Sequence, residues 1–346
     1  MASSKGTILV TGANGGLGTA IVQQIISLPE FSAYHGLYTV RDATSATALA
    51  SILQGNSSHS HDVLSLDLTK LDSVRQIART INDRVSAGDI PPIRALVLNA
   101  GFQDFGNQAW TDDGLDTTFS ANYLGHWLLT LLLLKSLDKT SGRIVLVGSQ
   151  AHDPYDKRNA AGEAFIDEKY KTFVHDDASF EAIAKGTWSS AEEDPSWRSG
   201  FRRYGAAKLF LIMMVHELQR RMDRDPVLGN ICILGVDPGT MITNLQRQAP
   251  WFIRVLLFKV IFPIIAILMP NGPVRATHKS ASHILQAAFD SSSVLGQFPK
   301  DKYFDGTKPL ETSTESRDAQ KRDLVWNSTV RYVHLKEGET ILSDWQ

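Results

Sequence analysis

The amino-acid sequence predicts a doubly wound α/β domain, in which helices cover both faces of a mainly parallel β-sheet. In the first half of the 346-residue chain, short apolar runs alternate with longer segments of helical periodicity, the pattern of successive βαβ units. The runs are apolar at nearly every position, which indicates strands buried on both faces. A glycine-rich turn at residues 11–18 directly follows the first run, as in an abrupt strand-to-helix connection.

The predicted elements follow one another regularly up to residue 150. We predict strands at residues 7–10, 37–40, 63–66, 95–98, 144–147 and 231–236. Helices are predicted after the glycine-rich turn, through residues 71–77, over 115–137 and 204–222, and near 276–289.

The regular order breaks at residues 152–200, a polar stretch rich in acidic side chains. We interpret it as an insertion with some helix and no core of its own. An apolar segment at residues 245–272 is interpreted as a substrate-covering cap. The predicted organisation is one domain over residues 1–310, which includes the insertion and the cap, and a polar C-terminal tail over residues 311–346.

Composition limits the classes of function. A formal net charge of -2, with 43% hydrophobic and 21% charged residues, is ordinary for a folded globular chain and gives no sign of nucleic-acid binding. The single cysteine, Cys232, excludes an internal disulfide and favours a reducing compartment. The first residues lack the apolar stretch of a secretory signal, so we expect a cytoplasmic protein. His59, His61 and Asp62 have no further matched ligands, so we predict no metal site.

The turn at residues 11–18 is a candidate site for a phosphate group. Glycines in such a turn allow the backbone to approach a pyrophosphate closely, and the following helix presents free N–H groups to it. A purely structural turn is the alternative. The predicted contacts are Gly12, Asn14, Gly15, Gly16, Leu17 and Gly18.

The residues after the second strand suggest which dinucleotide would bind. An acidic residue there would favour NAD, whereas a basic residue would pair with the 2′-phosphate of NADP. Here Val40 is followed by Arg41, which favours NADP(H). Asp42 weakens this prediction, because it could neutralise Arg41. Further cofactor contacts are predicted after the third and fourth strands, at Asp67, Leu68, Asn99, Ala100 and Gly101.

Tyr204 and Lys208 form the most specific feature of the chain. Residues four apart share one face of a helix, and a lysine ammonium beside a tyrosine is expected to lower the pKa of the phenol. Tyr204 can then exchange a proton with a carbonyl or alcohol oxygen. Ser149 follows the fifth strand, where its hydroxyl can bind the same oxygen, and Asn122 lies in the long helix before that strand.

This ordered set of motifs resembles the short-chain dehydrogenase/reductase family over residues 6–330. The resemblance implies a single Rossmann domain in which Asn122, Ser149, Tyr204 and Lys208 are catalytic. It also implies that Asn122 orders a water near Lys208, that Tyr204 and Lys208 contact the cofactor, and that Lys208 binds the nicotinamide ribose. The residues expected to hold the nicotinamide are Pro238, Gly239, Thr240 and Thr243.

Residues 122–126, 143–145, 149–152 and 302–304 are similar to those of the retinol dehydrogenase and protochlorophyllide reductase branch. That branch typically prefers NADP, and many fungal natural-product tailoring enzymes look similar. The expected activity is reversible hydride transfer between NADP(H) and a ketone, aldehyde or secondary alcohol. The alternatives are a non-redox isomerisation or cyclisation on the same scaffold, and a nucleotide-sensing protein without turnover.

The segment between Ser149 and Tyr204 is longer than the family usually allows. Neither Tyr155 nor Tyr170 has a lysine four residues on, so Tyr204 remains the predicted catalytic tyrosine. We expect the insertion to form part of a cover over the substrate pocket.

Residues 251–269 are the most hydrophobic part of the chain. A membrane-spanning helix there would disrupt the domain, which leaves an interfacial helix that contacts an intracellular membrane, or a lid packed on substrate or on a subunit. Both alternatives favour a lipophilic small-molecule substrate. A homodimer is a further expectation, because many relatives pair through the helices that correspond to those bearing Tyr204 and Ala276.

Overall fold

Eight strands form one sheet in the order β3-β2-β1-β4-β5-β6-β7-β8 in a computed structural model that describes residues 4–55, 59–241, 272–292 and 295–346. All neighbouring strands are parallel except β7 and β8. The strands are β1 (Thr7–Thr11), β2 (His35–Val40), β3 (His61–Ser65), β4 (Ile93–Leu98), β5 (Arg143–Val147), β6 (Cys232–Asp237), β7 (Lys302–Asp305) and β8 (Lys308–Pro309). The predicted doubly wound fold is confirmed, and β7 and β8 extend the six strands predicted from the periodicity.

Helices cover both faces of this sheet. They are α1 (Gly16–Ser27), α2 (Thr47–Gln54), α3 (Leu71–Ala87), α4 (Thr117–Phe119), α5 (Gly125–Leu133), α6 (Asp177–Ala184), α7 (Trp197–Met222), α8 (Thr277–Phe289), α9 (Thr314–Arg317) and α10 (Ala319–Tyr332). A π-helical turn, Ser120–Leu124, joins α4 to α5.

Two apolar cores lie on opposite faces of the sheet. One lies under α3, α5 and α7, with Phe119, Trp127 and Phe210 among its large buried side chains. The other lies under α1, α2 and α8. The strand order reverses between β1 and β4, and in sheets of this type the crevice beyond the carboxyl ends at such a point is where ligands bind.

The insertion at residues 152–200 adds to the first core. Phe173, Val174 and Phe180 are buried in the same cluster as the side chains of α5 and α7, so the insertion has no core of its own, as expected. Within the predicted insertion, Trp197 lines the cavity described below, whereas none of the residues between Gln150 and Trp197, all of which the structure describes, does so. The interpretation of the insertion as part of a cover stays a prediction.

The interpretation of residues 311–346 as a tail is wrong. These residues include α9 and α10, which pack against α7, and Trp326 is stacked edge-on against Trp127 of α5 at a centroid distance of 5.0 Å. The Trp326 indole also donates a hydrogen bond to the Trp345 carbonyl at 2.9 Å. The C-terminal segment is therefore an integral part of the domain.

The apolar cap predicted at residues 245–272 lies outside the described residues apart from its last position, as do Thr243 and the proposed membrane-contacting segment 251–269. Among the helices in the described part of the chain, none is both long and apolar enough to cross a membrane.

Candidate active site

A cavity of about 760 Å³ lies beyond the carboxyl ends of the central strands. Every described residue predicted to bind cofactor or to act in catalysis lines this cavity, except Asn122. The residues that line it without having been predicted include an apolar group consisting of Phe102, Phe105, Trp197, Phe201 and Met241.

The glycine-rich turn lies at one end of the cavity. A Cβ atom on Gly12 would lie 2.7 Å from the Ala100 Cα, and one on Gly18 would lie 2.3 Å from the Gly12 carbonyl oxygen. Gly12 also has a φ of +65°, which favours glycine. No side chain in the described part of the chain caps α1 at Gly15, so its first N–H groups remain available to an anion. These features fit the pyrophosphate of a dinucleotide.

Arg41 lines the cavity beyond the end of β2. Asp42 does not neutralise it, because its carboxylate accepts hydrogen bonds from the Thr44 N–H at 2.9 Å and the Thr44 hydroxyl at 2.7 Å. Across residues 4–55, 59–241, 272–292 and 295–346, no carboxylate forms an ion pair with Arg41. The guanidinium is thus placed to pair with a 2′-phosphate.

Asp67 lines the cavity at the end of β3 and also forms a local turn. Its carboxylate accepts hydrogen bonds from the Thr69 N–H at 3.0 Å and the Thr69 hydroxyl at 2.6 Å. The Asp67 N–H in turn donates to the Ser73 hydroxyl at 3.1 Å. The structure therefore gives Asp67 a role in a local turn, and its contact with the cofactor stays a prediction.

Thr11 and Asn99 fasten the ends of β1 and β4 together beneath the cavity. The Thr11 hydroxyl accepts hydrogen bonds from the N–H groups of Asn99 and Ala100 at 2.9 and 3.0 Å, and the Asn99 amide donates to the Thr11 carbonyl at 2.8 Å. His126 contacts the Thr11 hydroxyl at 3.0 Å. Burial, assisted by the charge of Lys208, lowers the His126 pKa to about 3, so this imidazole is neutral and structural.

Tyr204 and Lys208 lie one turn apart on α7, with the Lys208 Nζ 5.4 Å from the centre of the Tyr204 ring. Ser149 acts to lower the pKa of the Tyr204 phenol, and Tyr204 retains 8% exposure at the cavity wall. The Lys208 ammonium donates to the Val147 carbonyl at 2.8 Å, which fixes it at the end of β5. One serine, one tyrosine and one lysine thus converge at the end of the cavity opposite Arg41.

Burial dominates the acid–base properties of this pair. It raises the pKa of the Tyr204 phenol above its usual value, while the hydrogen bond from Ser149 acts in the opposite direction. The expected lowering by Lys208 is therefore not found in the protein alone. Burial also lowers the pKa of Lys208, to about 8, although the Asp237 carboxylate opposes this change. A partly deprotonated lysine stabilises a phenolate less than a fully charged one does.

Asn122 lies in the π-helical turn and does not line the cavity. Its side-chain oxygen accepts a hydrogen bond from the Phe102 N–H at 3.0 Å, and its amide donates to the carbonyls of Phe102 and Thr118 at 2.8 and 2.7 Å. These contacts hold the strand-to-loop connection after β4. The proton-relay role of Asn122 remains a prediction.

The aromatic side of the cavity was missed by sequence reasoning. Trp197 and Phe201 precede Tyr204 by two turns and one turn of α7, and their rings are 5.9 Å apart in an edge-on arrangement. This helical spacing is a signal that could have placed both on the catalytic face. Phe102 and Phe105 come from the loop after β4, whose conformation the sequence pattern does not reveal.

Comparison with known proteins agrees with this geometry. Residues 6–160 match the family model for short chain dehydrogenase. The chain is 42% identical to the short-chain dehydrogenase iccH of Talaromyces variabilis, over 99% of this chain and 100% of that protein. It therefore belongs to the short-chain dehydrogenase/reductase family, whose members are oxidoreductases.

More distant relatives indicate the branch and the fold. The chain is 28% identical to retinol dehydrogenase 13 of Homo sapiens, over 95% of this chain and 85% of that protein. The structure of the angucycline C-6 ketoreductase LanV with bound NADP is similar, with a TM-score of 0.57 and 17% identity over 88% of this chain and 94% of that one. At this identity the structural likeness supports the fold alone.

Proposed function

We propose that this protein is an NADP(H)-dependent carbonyl reductase or alcohol dehydrogenase. The substrate is a lipophilic small molecule that carries a ketone, an aldehyde or a secondary alcohol. The observation that carries the proposal is the convergence of Ser149, Tyr204 and Lys208 at the end of a cavity whose opposite end is formed by a glycine turn and Arg41.

The protein residues have distinct roles in this proposal. The bound nicotinamide cofactor supplies or accepts the hydride. Ser149 binds the substrate oxygen, and Tyr204 delivers a proton to that oxygen in reduction or removes it in oxidation. Lys208 stabilises the phenolate, and Asn122 supports the proton relay. The α1 N-terminus and Arg41 hold the phosphates, and Pro238, Gly239, Thr240 and Thr243 hold the nicotinamide.

The apolar group formed by Phe102, Phe105, Trp197, Phe201 and Met241 supports a lipophilic substrate, because apolar walls gain free energy by burying apolar ligand surface. The similarity to a fungal short-chain dehydrogenase supports the proposed role in secondary-metabolite biosynthesis.

We further propose a cytoplasmic protein whose residues 251–269 contact a membrane peripherally. A homodimer is also proposed. Since α10 and α6 cover α7 within the chain, pairing would use α8, on which His278 and Gln286 are exposed.

The experiment that tests this function is NADPH consumption by purified protein against a panel of lipophilic ketones, aldehydes and quinones, with Tyr204→Phe assayed beside it. We expect turnover that falls by about 10²-fold or more in the variant, while NADPH binding persists. Product formation without consumption of NADPH would instead favour isomerisation or cyclisation. Tight binding of NADPH without any turnover of the panel would favour a sensor.

A further inference from the structure

Phe105 has a backbone conformation that is unusual for a residue with a side chain. Its φ is +51°, in the left-handed region that bulky residues rarely adopt. It lines the cavity and is buried, yet it lies in neither of the two apolar cores that the described residues form. Strained residues of this kind cluster at ligand-binding sites, where the surrounding structure holds them in place. The conformation of Phe105 therefore points to a role in the cavity.

The residue before Phe105 is fastened to α4 and α7. The buried Asp104 carboxylate accepts hydrogen bonds from the Gly106 N–H at 2.8 Å and from the Thr118 hydroxyl at 3.0 Å. Arg203 of α7 donates to the same carboxylate, with the shortest distance at 2.8 Å. Both chain neighbours of Phe105 are thus fixed, so the loop cannot carry Phe105 away from the cavity without breaking these bonds.

The same loop lies directly against the beginning of α7. A Cβ atom on Gly106 would lie 2.9 Å from the Ser196 carbonyl oxygen, and one on Gly200 would lie 2.9 Å from the Phe105 nitrogen. Real Cβ atoms essentially never come so close to another atom. The loop backbone therefore has no room to relax the φ of Phe105, and packing maintains the strain.

A line of aromatic rings along α7 leads from the catalytic tyrosine to the outer part of the cavity. The ring centres of Tyr204 and Phe201 are 6.5 Å apart, and those of Phe201 and Trp197 are 5.9 Å apart. Seven residues of helix extend about 10 Å at 1.5 Å per residue. Because the ring next to Tyr204 is that of Phe201, the part of a substrate nearest its reacting oxygen faces aromatic surface.

We propose that Phe105, together with Phe201 and Trp197, selects substrates in which the carbonyl or alcohol carbon is bonded directly to a planar aromatic ring. This inference rests on the proposed function and narrows its substrate class from lipophilic compounds to aryl ketones, aryl aldehydes and aryl alcohols. Aromatic rings attract one another in edge-on or offset arrangements beyond the gain from burial, which corresponds to about twofold to tenfold in affinity per ring pair. A saturated ring system of the same size gains the burial but not this attraction.

The direct test compares two ligands of matched size without any chemical step. The ligands are 1-(2-naphthyl)ethanol and its saturated counterpart 1-(2-decalyl)ethanol, each measured by equilibrium dialysis against protein loaded with NADPH. Neither alcohol can accept a hydride from NADPH, so only binding is observed. We expect the naphthyl alcohol to bind at least about threefold more tightly to the wild type. Phe105→Leu should reduce this preference by at least about twofold, because leucine keeps an apolar side chain but removes the ring.

The chain offers a matched control and a second variant. Phe298→Leu makes the same substitution at an exposed residue that does not line the cavity, so the preference should stay at the wild-type value. If Phe105→Leu fails to fold, Phe105→Gly takes its place, because glycine adopts a φ of +51° without strain. A residue that only supported the fold would change the affinity for both alcohols alike, whereas a specificity-determining residue changes their ratio.

Equal affinities of the wild type for the two alcohols would overturn the proposal, and so would an unchanged ratio in the Phe105 variants or an absence of binding by both alcohols. The corresponding ketones are then assayed for NADPH consumption. Reduction of both ketones without an aryl preference in the dialysis would leave the reductase function intact and refute the inference. An aryl preference in the dialysis without reduction of either ketone would support the inference and count against the reductase function.

Discussion

Arg203→Met is expected to destabilise the fold strongly, because Arg203 is the cation of a buried cluster next to the active site. Its guanidinium donates three hydrogen bonds to Asp104, at 2.8, 2.9 and 3.2 Å, and lies 3.4 Å from Asp116. The exposed fraction of each side chain is 3% or less. Arg203 also donates to the Ser189 carbonyl of the insertion. The methionine variant would keep much of the volume but leave two buried carboxyl groups without a cation.

Breaking a buried pair by removing one partner typically costs about 3–5 kcal/mol of the free energy of unfolding. A matched control, Arg198, lies five residues earlier on the same helix. Arg198 pairs with Glu163 of the insertion at 2.9 Å, but 39% and 60% of these side chains are exposed. An exposed pair of this kind contributes at most about 1 kcal/mol, so Arg198→Met should have little effect.

The loss of unfolding free energy in Arg203→Met should also depend on pH. Burial raises the Asp116 pKa from 3.8 to about 6, and the charge of Arg203 opposes this rise. Because the pKa is higher in the folded state, the native protein holds this proton more tightly, and stability falls as the pH rises from about 4 to 6. Without Arg203 the pKa of Asp116 in the folded protein rises further, so stability continues to fall at higher pH. Arg203→Met should therefore lose more free energy of unfolding, relative to wild type, at pH 8 than at pH 5.

The assay is urea unfolding of wild type, Arg203→Met and Arg198→Met at pH 5 and pH 8, followed by tryptophan fluorescence. A loss below about 1 kcal/mol in Arg203→Met, or a loss of equal size at both pH values, would refute the reasoning. The first result would mean that the cluster reorganises, and the second that Asp116 does not titrate between these pH values.

Three further variants test the cofactor site and the C-terminal segment. Arg41→Ala should weaken NADPH binding by about tenfold or more, through loss of a charge-assisted hydrogen bond, and leave NADH binding nearly unchanged; equal losses in fluorescence titrations would contradict the NADP preference. Gly18→Ala should abolish NADPH binding, because its Cβ would lie 2.3 Å from the Gly12 carbonyl oxygen. Gly55→Ala is the control and should leave NADPH binding unchanged, because the nearest atom to its Cβ would be 3.5 Å away. Trp326→Ala should lower the free energy of unfolding by about 3–5 kcal/mol, because it leaves a cavity beside Trp127 and Arg221. A decrease below about 1 kcal/mol in urea unfolding would instead support the interpretation of residues 311–346 as a tail.

The strands of the central sheet could be predicted because their apolar runs are long enough to stand out from the helices around them. Strand β7 has four residues, of which Tyr303 and Phe304 are apolar and the outer two are charged, so its hydrophobic signal is too short to recognise. The C-terminal helix α10 was missed for a related reason. Its buried residues Val325, Trp326 and Thr329 are separated by many polar ones, which resembles a solvated tail until the face of α7 that they cover is known.

The candidate site was predictable where function depends on local spacing. The glycine turn, and Tyr204 with Lys208, each lie within eight consecutive residues, so the sequence pattern contains their geometry. The positions of Phe102 and Phe105 in the cavity were not predictable, because their direction depends on a loop that Asp104 and Asn122 hold in place. Asp237 was not among the predicted site residues, since its partner Arg158 lies in a distant insertion and only tertiary packing brings the two together.

Helix α7 explains how a long insertion can be accommodated beside a catalytic centre. Its cavity face carries Trp197, Phe201, Tyr204 and Lys208 at helical spacing, while the neighbouring residue Arg203 points about 100° away around the helix. Arg203 binds both Asp104 of the loop after β4 and the Ser189 carbonyl of the insertion. The insertion therefore attaches to the face of α7 that does not hold substrate. Among the ion pairs of the described residues, the one between Arg158 of the insertion and Asp237 is the pair that reaches a residue lining the cavity.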